Sequence, residues 1–371
     1  MKRFLVRTLV GAIPLLLLVL GSLYYYFRIR PELTGDLGQL GKIAFGTEYD
    51  ARIGRPLLDE NMAPPFEPGT PVGRIVTIGD SFSQQEERGY QNFLAHRLGE
   101  PVTNIRLIQG AEPEQSALDL LQAGFFDTLP DVKWVIVESV ERALVERNLH
   151  LDPDRRTAES PMPREEVQAA DPDSGYGLLD RAFRLIRQSK DWMLLNLGLA
   201  RSPVHTATLD RPCFTLPGRE STLYFYKEDL DRLTVSDAEL TTVRESLRTL
   251  HDRFQARGIE LLFLMAVDKY ELYQHTIVNN AVDNSHPQRP LGSRLQALDS
   301  LEFFVDPLPA LRERLEAGEQ DLYMAHDTHW SQKGARLAAD LLYEKIRSVE
   351  AESNENRPNP DPAASDSVSC D

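Results

Sequence analysis

Two short polar blocks, far apart in the 371-residue chain, carry the residue types of a serine-dependent acyl-transfer site. One is the sequence GDSFS at 79–83, directly after a β-branched run, and the other is DTHW at 327–330. A serine hydroxyl is a poor nucleophile until a base removes its proton. Histidine is the usual base near neutral pH, and a carboxylate fixes the tautomer of that histidine. The blocks therefore predict Ser81 as nucleophile, His329 as general base and Asp327 as its orienting carboxylate.

Each block also has a simpler interpretation. Glycine, aspartate and serine are ordinary turn residues, so a GDS sequence alone also fits a turn without function. His329, next to Trp330, also fits a partly buried structural histidine. His326 lies three residues before His329, which leaves a zinc site open, but no second histidine pair or His-Glu helix motif supports one. We expect no metal ion and no cofactor at this site.

Short apolar runs and helical patterns alternate around the two blocks. We predict buried strands where apolar, β-branched residues run without a helical period, at 75–78, 105–108, 134–137, 261–267 and 303–305. Helical patterns include one that begins with a capping box at 236–239 and a final helix at 331–346. The alternation predicts an α/β fold with a central parallel sheet between two layers of helices. In such folds the loops at the carboxyl edge of the sheet hold the site, so both blocks can meet there.

The first thirty residues predict a membrane anchor. Residues 1–7 contain three basic side chains, and residues 8–27 form an uncharged apolar stretch. About 20 apolar residues can cross ~30 Å of hydrocarbon as a helix, and the tyrosines at 24–26 suit the headgroup region. A cleaved signal peptide is the alternative, although aromatic residues occupy the place of its cleavage site. With residues 1–7 cytoplasmic, we expect a single-pass inner-membrane anchor and a periplasmic or extracytoplasmic catalytic domain.

The rest of the chain divides by composition. Residues 28–70 contain glycine and proline clusters and are interpreted as a stalk, and residues 71–348 as the catalytic domain. Within that domain, 146–231 is rich in Pro, Asp and Arg and is interpreted as an insertion, which is either a lid or substrate wall or an elaboration without a role. Residues 349–371 are polar, cannot bury a core and are expected to be disordered.

Overall composition excludes some classes of function. The formal net charge of −16 argues against a protein that grips nucleic acid over a broad surface. The chain has two cysteines, which excludes a disulfide framework and a cysteine-based zinc site.

Beyond the two blocks, the sequence resembles the SGNH/GDSL superfamily, and within it the alginate O-acetyltransferase (AlgJ/AlgX-like) branch. GDSFS is similar to the nucleophile block, and HDTHWSQKGA at 326–335 is similar to the Asp-x-His-Trp block of that branch. Weaker similarities lie at 140–144 and 267–273. The Asp-to-His spacing of two favours the acetyltransferase branch. Ser81 precedes the Asp-His block here, the reverse of the order in alginate enzymes, so the resemblance does not name the glycan.

The resemblance implies a flavodoxin-like SGNH three-layer fold with a triad of Ser81, His329 and Asp327. It also implies periplasmic transfer of acetyl groups to a secreted polysaccharide, with a membrane-bound O-acyltransferase as the donor partner. The asparagine of the third SGNH block is missing, because 138–142 is ESVER. Other residues are therefore candidates for oxyanion or supporting roles: the Ser81 amide, Gly110, Asp80 and Arg142, the last with a structural role as its alternative.

Three further residues are candidate substrate contacts: Trp330, Lys269 and Tyr273. Packing roles are the alternative for each of them, since aromatic side chains and lysine stems also fill cores and surfaces.

Three functions are compatible with these residues. The first is an O-acetyltransferase that modifies an extracellular or cell-envelope polysaccharide through an acetyl-Ser81 intermediate. The second is a carbohydrate acetylesterase, in which water resolves the same acyl-enzyme. The third is a non-catalytic polysaccharide-binding or scaffold subunit that keeps a vestigial site. The sequence favours the first, because a membrane anchor and both blocks occur together.

Overall fold

The computed structural model describes residues 11–14, 16–21, 36–39, 52–108, 110–155, 204–278, 290–298 and 301–355. Its centre is a five-stranded sheet in which every pair of neighbouring strands is parallel. The strands of this sheet are β1 (Ile75–Ile78), β2 (Val102–Ile105), β3 (Trp134–Val140), β6 (Glu260–Ala266) and β7 (Phe304–Val305). The predicted α/β fold with a central parallel sheet is confirmed.

The strand order places one particular loop at a binding position. Across the sheet the order is β2-β1-β3-β6-β7, which is the order of flavodoxin-like sheets. The chain leaves β1 for β2 on one side and later returns to β3 on the other, so the order reverses between β1 and β3. Ligands of open α/β sheets bind at the carboxyl edge beside such a reversal. The loop that begins at Gly79 lies at this point.

The second strand differs from its predicted position. The prediction was 105–108, whereas the strand is Val102–Ile105. Apolar content was misleading here, because two polar residues of this strand are buried. Asn104 donates to the backbone carbonyl of Ser83 over 2.7 Å and accepts from the Thr77 hydroxyl over 3.0 Å. Ile108, by contrast, is exposed.

Helices cover the sheet in two groups. The helices are α1 (Asp36–Gln39), α2 (Tyr90–Leu98), α3 (Pro113–Gln122), α4 (Glu141–Leu149), α5 (Asp237–Gln255), α6 (Lys269–Tyr273), α7 (Leu291–Leu298), α8 (Leu308–Glu316) and α9 (Gln332–Glu355). Helices α2 and α8 pack against α9, while α3, α4 and α7 pack against α5. Strand β3 is buried along its whole length, as a central strand covered on both faces must be.

The capping box predicted at the start of α5 is confirmed. The Glu239 amide donates to the Ser236 hydroxyl over 3.2 Å, and the Ser236 amide donates to the Glu239 carboxylate over 2.7 Å. Two amides that lack helical partners are thereby satisfied at once. The helix then buries one apolar face, formed by Leu240, Val243, Leu247, Leu250 and Phe254.

The segment predicted to be a stalk needs correction where the structure describes it. Backbone bonds run from the Phe66 amide to the Asn104 carbonyl over 2.8 Å and from the Asn104 amide to the Pro64 carbonyl over 3.1 Å. These bonds protect the free edge of β2. In α1, Leu37 is fully buried. The described parts of 28–70 therefore belong to the domain.

Half of the predicted membrane anchor, residues 8–10, 15 and 22–27, lies outside the described residues. Helical turns are described at 11–14 and 16–21, and Leu16, Leu17 and Leu20 are exposed there. Within the described ranges, no helix has both the length and the apolar character needed to cross a membrane.

The predicted insertion contributes a small hairpin. Its strands β4 (Val204–Thr208) and β5 (Thr222–Tyr226) are antiparallel, and β5 packs against α6 and α1. Residues 156–203 lie outside the described part. The predicted disorder of 349–371 is wrong over its described part, because α9 continues to Glu355. Glu350 pairs there with Arg74; residues 356–371 lie outside the described part.

Candidate active site

The GDSFS sequence forms a tight turn that exposes one serine. Directly after β1, the chain makes a 3₁₀ turn, Ser81–Ser83, in which Phe82 and Ser83 are buried and Ser81 is exposed. Asp80 caps this turn by accepting from the Phe82 amide over 3.2 Å. The buried neighbours anchor the turn, so the Ser81 hydroxyl is presented at the carboxyl edge of the sheet.

A buried carboxyl group, which the sequence analysis missed, supports the turn from below. Glu138 on β3 is fully buried and accepts from the Asp80 amide over 3.1 Å and from the Ser83 hydroxyl over 2.8 Å. A side chain at Gly79 would collide with the Ser83 and Glu138 side chains, so only glycine fits there. The sequence did contain a signal for this role, because Glu138 is an acidic residue inside an apolar strand. An acidic group is rarely buried without partners, so its position indicated a hydrogen-bonding role.

Asp80 is held as a carboxylate and serves as a support. It accepts from the Arg147 guanidinium over 2.8 Å and from the Val140 amide over 3.0 Å. Burial opposes its ionisation, but Arg147 and these hydrogen bonds outweigh burial and lower the pKa of Asp80. A carboxylate accepts hydrogen bonds and cannot donate one to an oxyanion. Asp80 therefore stabilises the turn that carries Ser81.

The second block brings an imidazole to the serine. His329 Nε2 lies 2.8 Å from Ser81 Oγ, and His329 Nδ1 lies 2.5 Å from Asp327 Oδ1. The His329 amide also donates to Asp327 Oδ1 over 2.9 Å. The Phe82 ring lies 4.6 Å from the imidazole, between centroids. These contacts form a continuous chain from carboxylate to imidazole to hydroxyl, which is the arrangement that activates a serine.

The charges of the Asp–His pair reinforce each other. Burial alone would raise the pKa of Asp327, but the imidazolium of His329 and the hydrogen bonds from His329 hold that pKa well below its usual range. Burial would lower the pKa of His329, but Asp327 outweighs it and raises that pKa. The carboxylate thus increases the basicity of the imidazole and stabilises the imidazolium that forms during proton transfer.

Arg142 lies in a supporting position. Its guanidinium donates to Asp268 over 2.9 Å and to the Thr328 hydroxyl over 3.3 Å, and it lies over the Tyr226 ring. It also pairs with Asp229 over 3.6 Å. These contacts connect α4 with the turn that precedes His329, and they favour the structural alternative for Arg142.

Gly110 has the conformation of a turn residue. It is exposed, with φ of +84°, in the loop after β2, the neighbour of β1. This left-handed conformation favours glycine. Its amide remains a predicted oxyanion donor.

The three predicted substrate contacts are wrong as surface contacts, because all three side chains are buried. Trp330 and Tyr273 have at most 1% of their surface exposed, and Lys269 has none. Trp330 packs edge-on against Phe82 and donates to Gln85 over 3.1 Å. The indole therefore supports, from inside the fold, the turn that carries Ser81.

Lys269 holds the His329 turn through its backbone. Its ammonium donates to three carbonyl oxygens, those of Met324 (2.7 Å), Ala325 (2.8 Å) and Asp327 (3.1 Å). The ammonium also lies 5.0 Å from the centroid of the Phe214 ring. Burial lowers the pKa of Lys269 to about 7. Donation to three carbonyl oxygens at once nevertheless requires the ammonium form, because only that form has three N–H donors.

Replacing Lys269 by methionine should therefore destabilise the domain. The variant fills similar space but leaves buried carbonyls unsatisfied, so we expect the free energy of unfolding to fall by about 2–4 kcal/mol. Urea unfolding of the full chain measures this. Lys333 is the matched control, since it is 45% exposed and donates to one carbonyl, that of Gln320. The free energy of unfolding of Lys333→Met should stay within ~0.5 kcal/mol of wild type. An equal loss of stability in both variants would contradict the role of Lys269 in holding the His329 turn.

Asp36 was not predicted and lies beside the triad. In the described part of the chain, Asp36, Asp327 and His329 form a group whose ligand-type atoms lie within 4.8 Å of one another. His326, which the sequence suggested as a partner for zinc, is not in that group. The carboxylate of Asp327 is already hydrogen-bonded to His329 and to the Asp36 amide. This arrangement is that of a hydrogen-bonded triad with an additional acid.

Comparison with known protein families finds a match over part of the chain. Residues 216–360 match the family described as the SGNH hydrolase-like domain of the acetyltransferase AlgX. The predicted resemblance to this SGNH acetyltransferase branch is confirmed. The match to the AlgX family includes Asp327 and His329 but not Ser81, which the fold brings to them. Comparisons with curated proteins and with solved structures gave no match.

Proposed function

We propose that this protein is an O-acetyltransferase that modifies an extracellular or cell-envelope polysaccharide through an acetyl-Ser81 intermediate. The observation that carries the proposal is the chain of hydrogen bonds from Asp327 through His329 to an exposed serine. The match to the AlgX family supports acetyl transfer as the chemistry. The domain thus combines an SGNH scaffold with the groups that a serine acyltransferase needs.

The first half of the reaction loads the serine. His329 Nε2 accepts the proton of Ser81 Oγ as that oxygen attacks the acetyl carbonyl of the donor. Collapse of the tetrahedral adduct breaks the bond between the acetyl carbon and the donor oxygen, and the imidazolium returns the proton to that leaving oxygen. Asp327 stabilises the imidazolium in between. The amides of Ser81 and Gly110 are the proposed donors to the oxyanion.

The second half transfers the acetyl group to the glycan. His329, neutral again, removes the proton from a sugar hydroxyl as that oxygen attacks acetyl-Ser81. The bond between the acetyl carbon and Ser81 Oγ breaks, and Ser81 recovers the proton from His329. The products are an O-acetylated sugar and free enzyme, so no external acid or base is consumed.

An acetylesterase is the second candidate, because Ser81 is exposed to water. Water in place of the sugar hydroxyl would resolve the same intermediate and release acetate. Transfer requires the sugar hydroxyl to compete with water. The two functions therefore differ in whether the acyl-enzyme reacts mainly with the sugar hydroxyl or mainly with water.

The proposed setting is the outer face of the inner membrane. The apolar stretch 8–27 is of spanning length, and basic residues precede it. In this setting the donor partner would be a membrane-bound O-acyltransferase that brings acetyl groups across the membrane. The polysaccharide would reach Ser81 from the extracytoplasmic side.

One experiment separates these candidates. The full chain, purified in detergent, is incubated with an activated acetyl ester, with and without polysaccharide acceptors, and the Ser81 peptide is examined by mass spectrometry. Transfer predicts acetyl-Ser81 that disappears as acetylated glycan forms. Acetate release at the same rate with or without glycan favours the esterase. A chain that neither acetylates at Ser81 nor reacts there with a fluorophosphonate supports a non-catalytic subunit and ends the proposal.

A further inference from the structure

We infer that Asp36, in the N-terminal segment, is a positioning residue of the active site, which braces the turn carrying Asp327 and His329 and places a second carboxylate beside the imidazole. This inference rests on the proposed serine chemistry. It concerns the reactivity of Ser81 alone and is independent of the acyl donor and the acceptor.

The contacts between Asp36 and the turn run in both directions. The backbone amide of Asp36 donates to Asp327 Oδ2 over 3.2 Å. The backbone amide of Thr328 donates to Asp36 Oδ1 over 2.8 Å. The other oxygen of Asp327 is the one bound to His329. Asp36 thus limits rotation of the Asp327 carboxylate and fixes the backbone between Asp327 and His329.

The segment that carries Asp36 is itself anchored in the domain. Leu37, the next residue, is fully buried, and α1 packs against β5 of the hairpin. From β5, Tyr226 faces the Asp36 carboxyl, whose charge adds to burial in raising the pKa of the Tyr226 hydroxyl. The Tyr226 ring lies against Arg142, which in turn donates to Thr328. The N-terminal segment and the hairpin therefore hold the same turn from two elements.

The Asp36 carboxyl also acts on the triad through its charge. Burial and the neighbouring Asp327 raise the pKa of Asp36 to about 6, against the opposing effects of His329 and the amide of Thr328. Above that pH the group carries a negative charge. After Asp327, this charge is the next to raise the pKa of His329, and Asp80 contributes in the same direction.

Titratable groups on two neighbouring elements also face Asp36. From β5 the facing group is Tyr226, whose pKa is raised well above its ordinary value by burial first and then by Asp36, so it is neutral through the working range. From α6 it is Lys269, which interacts with both Asp36 and Asp327. Neither changes the sign of the expected effect, because removing the Asp36 charge can only make the imidazolium of His329 less stable.

The test compares two substitutions in the full chain by the pH dependence of fluorophosphonate labelling at Ser81. Asp36→Asn keeps an oxygen for the Thr328 amide but removes the charge. We expect the acidic limb of its profile to move to lower pH, because the pKa of His329 falls, and the plateau to drop a few-fold as the base weakens. Asp36→Ala also removes the brace, so labelling should fall about tenfold at every pH.

Controls make the outcome decisive. Asp59, exposed in the same N-terminal region, is the matched position, and Asp59→Asn should label as wild type does. Ser81→Ala gives the background. Thermal unfolding shows whether each variant is folded, and the isosteric Asp36→Asn variant keeps the test open if Asp36→Ala does not fold.

Two results would overturn the inference, and they are distinguishable. If wild type labels but both Asp36 variants share its rate and its acidic limb, Asp36 has no such role while the serine chemistry stands. If wild type itself does not label, Ser81 is not activated, and the proposed function fails together with the role of Asp36.

Discussion

Acetyl transfer by the Ser81→Ala variant should fall by about 10⁴- to 10⁶-fold relative to wild type. The methyl side chain has no oxygen to accept the acetyl group, so the covalent route is lost whatever the donor. Ser81 is exposed, so we expect the free energy of unfolding to change by no more than ~0.5 kcal/mol. The measurements are single-turnover transfer from an acetyl ester and urea unfolding of the same preparation.

A second exposed serine provides the control for this result. Ser293, in α7, lies on the surface, and Ser293→Ala should retain full transfer. Transfer by Ser81→Ala at even one-tenth of the wild-type rate would contradict an acetyl-Ser81 intermediate, because no other residue is assigned to carry the acetyl group.

The Asp327→Asn variant should lose about 10³- to 10⁴-fold in rate at neutral pH while keeping its fold. The asparagine amide can donate to Nδ1, which would favour the imidazole tautomer with its proton on Nε2, and Nε2 could then no longer accept the Ser81 proton. The loss of charge adds a second, separable effect. Because Asp327 raises the pKa of His329, the pKa of His329 should fall in the variant, and the residual activity should persist to lower pH than in wild type.

A surface pair offers a matched control for Asp327. His251 Nδ1 lies 3.2 Å from Asp252 Oδ1, and the Asp252 side chain is 74% exposed. Asp252→Asn removes the same type of contact far from Ser81 in sequence and should leave both the rate and the acidic limb unchanged. If Asp327→Asn behaved like this control, His329 would not depend on Asp327 and the triad would be incorrect.

Buried polar side chains explain why local sequence patterns predicted some parts of the molecule better than others. The strands at 75–78 and 134–137 were found because they are runs of apolar and β-branched residues, whereas β2 was misplaced because Asn104 is buried by bonding to Ser83. Glu138 was overlooked for the same reason. Polar groups become buried when a distant partner satisfies them, and the partner is not visible in a window of neighbouring residues.

The three candidate substrate contacts show a related error, because side chains that were proposed to reach the substrate are buried. Lys269, Tyr273 and Trp330 follow or flank predicted strands and blocks, and they were candidate substrate contacts with packing roles as the alternative. In the structure they point inward, and Lys269 alone satisfies three carbonyls of the loop before His329. The periodicity of a strand predicts which of its side chains point to each face of the sheet. It does not predict the direction of side chains in the loop that follows the strand.

The sequence by itself determined the candidate catalytic residues and the scaffold class: a serine after a strand, an Asp-x-His pair before the last helix, and an alternation that requires a parallel sheet. These are properties of short segments, and short segments set strand and turn preferences. Only the tertiary structure decided that Ser81 and His329 lie 2.8 Å apart, and that Asp36, 291 residues from Asp327 in the chain, completes their surroundings. Such contacts depend on how the sheet, hairpin and N-terminal segment pack together, and that packing is a property of the whole chain.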